Sequence, residues 1–262
     1  MRSLLSPRRL VAIPLLIALA GGCSKDKTPT SPGNLAGQDA ADDLALQTVA
    51  SVTVTGADLN AAVSTVPSGA AAPARAQWDT TFTQGGLTFV ATRNFYDIAN
   101  NQLSGYGPTA VKMTWTSHVY GTAVFPRDTA TVNHRATIDV HGIQPARDTL
   151  QFDGGVFDTL TNRFRSYDGT RTRYGLWRSY FTIDNVRILK SAIAAGIGYP
   201  IAGTASFAVS LDRLRSNNVG DVESHVDATV LVTFNGSTLA DVVVDGTYHY
   251  KWNLVNGQIT RA

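Results

Sequence analysis

Histidine and acidic side chains are the first candidates for chemistry in this chain of 262 residues. Its five histidines all lie in or beside segments with strand-like sequence: His118, His134, His141, His225 and His249. His134 and His141 are seven residues apart, so the strand period of two places them on opposite faces and disfavours a shared metal site. His225 shares a local face with Glu223, and a third ligand such as His249 would have to come from another strand. We therefore interpret the histidines as surface or structural residues, and we expect no metal and no cofactor.

Signatures of catalysis are otherwise absent from the sequence. It contains no Gly-x-Ser-x-Gly elbow, no phosphate-binding loop and no dinucleotide fingerprint. Asp241 and Asp245 are four apart on one strand, a spacing more typical of a solvated sheet surface than of a glycosidase pair. An enzyme is therefore not favoured, although a hydrolase of envelope polymers stays open as an alternative.

An arginine-rich and aromatic-rich segment between residues 163 and 187 is the one candidate binding site in the folded part. Guanidinium groups beside aromatic rings can bind carboxylates, phosphates or sugars. The candidate ligand-binding residues are Arg163, Arg165, Arg171, Arg173, Trp177 and Arg178. The competing and favoured interpretation is an amphipathic hairpin with arginines on its wet side, aromatics in the core, and Asp158, Asp168 and Asp184 as cross-strand partners.

The first residues of the chain have the three parts of an export signal. Arg2, Arg8 and Arg9 form a positive region, an apolar stretch spans residues 10–20, and small residues follow it up to Cys23. Eleven apolar residues are too few to span a bilayer, which needs roughly 20 in a helix. The segment is therefore predicted to be cleaved.

The run Leu19-Ala20-Gly21-Gly22-Cys23 resembles the lipobox of bacterial lipoproteins. Gly21, Gly22 and Cys23 match the pattern, whereas Ala20 stands where that family prefers leucine. The resemblance implies that residues 1–22 are a signal peptide, that Cys23 is acylated and becomes the new N-terminus, and that Ser24 directs the protein to the outer membrane. The alternative is ordinary secretory cleavage, which would leave Cys23 as a free thiol.

Charge and cysteine content narrow the partners further. Cleavage after residue 22 removes three arginines and no acids, which leaves 19 basic and 20 acidic residues. A nearly neutral mature chain gives no reason to expect nucleic acid as a partner. Cys23 is the only cysteine, so no disulfide can form within the chain and stability must come from an ordinary core.

Composition divides the mature chain in two. Residues 23–77 are predicted to be a lipidated N-terminus with a flexible, polar tether, possible short helices capped by Asp39 and Asp58, and a second linker over 67–77. Residues 78–262 are predicted to form a single β-rich domain, because β-branched and aromatic residues alternate with polar ones between Gly, Pro, Asn and Asp turns. The expected fold is all-β: an antiparallel meander of about ten strands forming a curved sheet in a barrel-like or two-layer body, with at most short helices.

Individual elements are predicted with different strength. The clearest signals are a hairpin around Gln84-Gly85-Gly86 with a strand over Leu87–Tyr96, and a second hairpin in which Asn235-Gly236 precedes a strand over Leu239–Val244. Asp153-Gly154-Gly155 is predicted to be a turn. Val186–Ile197 is the only stretch of the folded part that supports a short helix.

Three functions are compatible with these features. The leading hypothesis is a non-enzymatic binding or structural β-domain held at the cell envelope by its lipid, facing the periplasm or the cell surface. The second is a carrier that encloses a lipid or another apolar ligand in the curved sheet. The third is the envelope hydrolase. The expected partners are the membrane, through the anchor, and an envelope ligand or protein, and the oligomeric state stays open.

Overall fold

The computed structural model describes residues 78–124, 128–165, 172–194, 199–217 and 220–262. Cys23, the predicted signal peptide and the predicted tether lie outside the described residues, as do Asp168 and Arg171. The described chain forms one antiparallel sheet of 12 strands. The predicted all-β meander is therefore confirmed, with two strands more than the expected number.

The strands follow one another along the chain and one short helix interrupts them. The bounds are β1 (Trp78–Gln84), β2 (Leu87–Tyr96), β3 (Gln102–Leu103), β4 (Lys112–Val124), β5 (Asp128–His141), β6 (Thr149–Arg165), β7 (Thr172–Leu189), α1 (Lys190–Ala194), β8 (Pro200–Asn217), β9 (Gly220–Phe234), β10 (Leu239–Val244), β11 (Tyr248–Asn253) and β12 (Ile259–Arg261). In the part of the chain that the structure describes, no helix is long and apolar enough to cross a membrane.

Strand order in the sheet is chain order, with β3 attached only to β2. β1 and β12 are the two ends of the hydrogen-bonded path, and among the described strands these two do not pair with each other. The sheet is therefore curved and open rather than closed on itself.

Alternation along the strands gives the sheet a buried inner face and a polar outer face. In β2 every second residue is buried and those between are partly exposed, as period-two geometry requires. The inner residues of β2 and β4 to β11 form the main apolar cluster, whose largest fully buried members include Phe95, Phe152 and Met113. Burying a side chain of this kind contributes roughly 1.5–3 kcal/mol relative to leaving it exposed.

Short turns with left-handed residues connect the strands. Gly85 and Gly86, both with positive φ, form the two-residue turn between β1 and β2, in which Gln84 pairs with Leu87. Asp245 and Gly246, also with positive φ, follow β10, and the Thr247 N–H donates to the Val244 carbonyl. The strands predicted over Leu87–Tyr96 and Leu239–Val244 are confirmed with their bounds.

One predicted turn is wrong and one predicted helix is shorter than expected, and the register explains both. Asp153-Gly154-Gly155 is no turn but part of β6, with a bulge between Phe152 and Gly154. A Cβ on Gly154 would lie 2.3 Å from the Thr137 carbonyl oxygen, so the glycine permits close approach of strands. Val186–Leu189 continues β7 and pairs with β6, so only Lys190–Ala194 of the predicted helix is helical in the described chain.

Candidate functional site

A shallow groove of about 480 Å³ crosses the outer face of the sheet between β6 and the turn after β10. Its floor is one row of cross-strand neighbours from β6, β7, β8 and β9: Phe157, Tyr180, Ala208 and Thr229. Ala208 is small, so it leaves a depression between the larger residues on either side. Tyr180 and Phe157 are 54% and 41% exposed, which is unusual for aromatic side chains in the middle of a sheet.

A glycine determines where the Tyr180 ring lies. Gly155 lies two residues before Phe157 on β6 and on the same face, and a Cβ built on it would be 3.3 Å from the Tyr180 hydroxyl oxygen and 3.7 Å from the ring. The ring therefore leans across the backbone of β6 at Gly155. One part of Tyr180 rests on the sheet while more than half of the residue faces solvent.

Asp245 forms one wall of the groove and is held rigidly. Its Oδ1 accepts hydrogen bonds from the Thr229 N–H at 2.7 Å and the Thr229 hydroxyl at 3.3 Å. Its own N–H donates to the Thr229 carbonyl at 2.8 Å. Two contacts through Oδ1 and one through the backbone hold Asp245 against Thr229, and among the described residues its Oδ2 has no hydrogen-bond partner.

Charged side chains at one end of the groove form the outer acid–base cluster: Arg178, Asp212, His225 and Asp227. The Asp212 carboxylate contacts the Arg178 guanidinium at 3.2 Å and His225 Nδ1 at 2.5 Å. His225 Nε2 lies 2.9 Å from Asp227 Oδ2. The hydrogen bond with Asp212, followed by that with Asp227, raises the pKa of His225, and the hydrogen bond from His225 lowers the pKa of Asp227.

This cluster is poorly arranged for general-base catalysis. Each ring nitrogen of His225 faces a carboxylate, so the protonated imidazole donates through both. No nitrogen is then left with a lone pair to take a proton from a substrate. The arrangement holds a cation between two anions rather than presenting a base.

A second histidine–carboxylate pair lies on the inner face. His134 Nδ1 is 2.6 Å from Asp158 Oδ1, and the Ser179 hydroxyl donates to Asp158 Oδ2 at 3.5 Å. These three residues are cross-strand neighbours in β5, β6 and β7. The carboxylate lies between the serine and the imidazole, whereas nucleophilic catalysis needs the imidazole between serine and carboxylate. The row is thus a buried polar network and not a catalytic triad.

The structure divides the arginine–aromatic set that the sequence singled out. Arg163 and Arg178 are exposed on the outer face, but Trp177 is only 8% exposed and packs in the core. The backbones of Arg165 and Arg173 pair with Thr172 and Phe164. Trp177 and the two exposed arginines therefore do not share one surface.

The favoured amphipathic interpretation of this segment holds in part. Trp177 and Phe181 fill the core as expected, but Tyr174 and Tyr180 are exposed at 40% and 54%. The prediction that Asp158 partners an arginine is wrong, because Asp158 contacts His134 and Ser179 on the inner face. The aspartate that contacts Arg178 is Asp212, in β8.

The histidines have partners that sequence spacing did not indicate. His225 contacts Asp212 and Asp227 rather than Glu223, and His249 lies in β11, where its backbone pairs with Val243. His118 contacts Asn133 at 2.9 Å. Within the described ranges no three His, Cys, Asp or Glu side chains are grouped so that they could hold a metal ion. The Asp212–His225 contact depends on the register of the β8–β9 pairing, in which Asn217 is opposite Gly220. A prediction of that register from the sequence would have placed Asp212 opposite His225.

Comparison with family models, curated proteins and solved structures finds no match to this chain.

Proposed function

We propose that this protein is a lipid-anchored component of the bacterial cell envelope whose β-domain binds a ligand without catalysing a reaction. The observation that carries the anchor is the run Leu19-Ala20-Gly21-Gly22-Cys23 after an apolar stretch too short to span a bilayer. The lipid on Cys23 is proposed to hold the domain at the outer membrane, facing the periplasm or the cell surface.

The binding role is supported by the outer groove. Exposed aromatic rings beside fixed polar groups are typical of surfaces that recognise ligands. The rings offer apolar area that a ligand can cover, and the polar groups determine its orientation. A hydrolase is less well supported, because both ring nitrogens of His225 are occupied and the Ser179–Asp158–His134 order does not activate the serine. An interior carrier is less well supported because most inner-face side chains are almost completely buried.

The anchor is tested by expressing the full chain in a diderm bacterium and replacing the cysteine, Cys23→Ser. The unmodified protein is expected in the membrane fraction, and its mature N-terminal peptide should carry the mass of the acyl groups on Cys23. The Cys23→Ser protein should be recovered without acyl mass and outside the membrane fraction. Membrane partition of the Cys23→Ser protein, together with an unacylated Cys23 in the parent, would overturn the anchor.

A further inference from the structure

We infer that the outer groove is a binding site for a neutral oligosaccharide, with Tyr180 and Phe157 as its stacking platform and Asp245 as its principal hydrogen-bond acceptor. This inference rests on the proposed binding role and names the class of ligand. A sugar ring presents an apolar face of C–H groups and an edge of hydroxyl donors. A complementary site therefore needs an accessible aromatic face next to fixed polar groups.

The aromatic platform satisfies the first requirement. Phe157 and Tyr180 are direct cross-strand neighbours, and both side chains are 40% or more exposed. They remain exposed although the next strand of the row, β8, has space into which the Tyr180 ring could fold. Ala208 follows Tyr180 in the row and provides that space. Gly155 lets the Tyr180 ring lean onto the sheet instead of standing away from it. An aromatic residue held in this way loses little side-chain entropy when a ligand binds.

Asp245 satisfies the second requirement. Its Oδ1 is tied to Thr229, while Oδ2 has no partner among the described residues, so the carboxylate is fixed before a ligand arrives. A preorganised carboxylate oxygen accepts strong, charge-assisted hydrogen bonds from hydroxyl groups. The Ser210 side chain, also on the groove lining, donates its hydroxyl proton to Asp227, and its oxygen can still accept a hydrogen bond from a ligand hydroxyl.

The charge of the groove favours a neutral ligand over an anionic one. The Arg178 cation is already paired with Asp212, and the imidazolium of His225 lies between Asp212 and Asp227. Asp245 adds a further negative charge to the groove lining. A phosphate or carboxylate ligand would need cations that are not engaged elsewhere, and among the described lining residues Arg178 is the only fixed cation.

The test is calorimetric titration of the purified Cys23→Ser chain with three neutral hexasaccharides, namely cellohexaose, maltohexaose and chitohexaose. At least one is expected to bind with a dissociation constant at or below the millimolar range. Tyr180→Ala is expected to weaken that binding roughly tenfold, as loss of a central aromatic contact typically does. Asp245→Asn, which keeps a residue that tolerates the left-handed turn, should weaken it severalfold.

Tyr174→Ala is the matched control. Tyr174 lies on the same strand and the same outer face as Tyr180 and is 40% exposed, but it does not line the groove. Its replacement should leave binding unchanged. Gly155→Ala sharpens the assignment further, because its methyl group would push on the Tyr180 ring and should weaken binding without removing an aromatic residue.

Three outcomes would overturn the inference: no heat of binding with any of the three sugars at millimolar concentration, equal losses in Tyr180→Ala and Tyr174→Ala, or binding of inositol hexakisphosphate or spermine in place of the sugars. These results are independent of the anchor, because the titrations use a chain without the acylated cysteine. If no sugar binds in the titration but Cys23 of the parent protein is acylated, only the sugar site is contradicted. If a sugar binds but Cys23 of the parent protein is not acylated, only the anchor is contradicted.

Discussion

The two histidine–aspartate pairs of this sheet have the same chemistry and opposite environments. His134 contacts Asp158 at 2.6 Å on the inner face, and His225 contacts Asp212 at 2.5 Å on the outer face. Each contact joins neighbouring strands of the sheet. The side chains of the inner pair are 5% and 19% exposed, whereas those of the outer pair are 54% and 40% exposed.

Environment rather than distance decides what each pair contributes. Water and ions screen an exposed pair, so contacts of this kind add little to folding stability. A buried polar group has no water to replace a lost partner, so breaking the inner pair leaves an unsatisfied group in the core. The inner face of the sheet therefore determines stability, and the outer face is free to serve recognition.

The largest expected change in the free energy of unfolding comes from a comparison of two adjacent residues, one on each face of the sheet. Trp177→Ala should lower the free energy of unfolding by about 3–5 kcal/mol, because it leaves a large cavity among the inner-face residues. Arg178→Ala, one residue along on the outer face, should change it by no more than about 0.5 kcal/mol. Urea unfolding followed by circular dichroism measures both. Similar losses for the two variants would contradict the division into a stabilising inner face and a tolerant outer face.

The next effect compares the two aspartates directly. Asp158→Ala should lower the free energy of unfolding by about 2–4 kcal/mol, since it removes the acceptor for both His134 and Ser179 in a buried site. Asp212→Ala is the control, because it removes the same functional group from an exposed histidine and should have a clearly smaller effect. If the urea denaturation midpoints of the two variants coincide, burial does not determine how much each histidine–aspartate pair contributes to the free energy of unfolding.

The smallest effect concerns pH. The raised pKa of His225 means that its contribution to stability is complete below its ordinary pKa of 6.5 and is lost as pH rises through the higher value in the folded protein. The lowered pKa of Asp227 gives a contribution that is present above 3.8 and is lost as pH falls through its lower folded value. The stability difference between the parent and His225→Gln should therefore be largest between these two limits.

Proton NMR of the His225 ring provides the direct measurement for this prediction. Its titration midpoint should lie above 6.5 in the parent and fall in Asp212→Ala, because Asp212 is the principal cause of the raised pKa. A midpoint at or below 6.5 in the parent would contradict the doubly paired imidazolium.

The strands were predictable wherever residue composition and turn chemistry agree. Leu87–Tyr96 and Leu239–Val244 are rich in β-branched and aromatic residues and follow Gly-containing turns, so each was predicted with its bounds. Asp153-Gly154-Gly155 has the composition of a turn, but a long strand can accept glycines where a neighbouring backbone approaches closely. Val186–Leu189 fits a helix by local sequence and becomes a strand because β6 is there to pair with it.

The candidate site was less predictable than the fold because it depends on register. Tyr180 and Phe157 are 23 residues apart in sequence and become neighbours only through the β6–β7 pairing. The strand period of two places the adjacent residues Trp177 and Arg178 on opposite faces of the sheet. The candidate ligand-binding set nevertheless included both, because its members were chosen by their closeness in sequence. Asp245 was identified as one of an aspartate pair on a strand, whereas its role depends on a turn that brings it to Thr229.

The order of the strands has a consequence for how this domain folds. From β5 onward, each strand pairs with the strand that immediately precedes it in the chain. Each pairing therefore joins strands that are consecutive in the chain, and no strand has to wait for a distant segment before it finds its neighbour. Proteins dominated by such near-neighbour pairings fold faster than those with long crossing connections. We expect this large sheet to form by successive addition of hairpins along the chain, at a rate high for an all-β protein of its size.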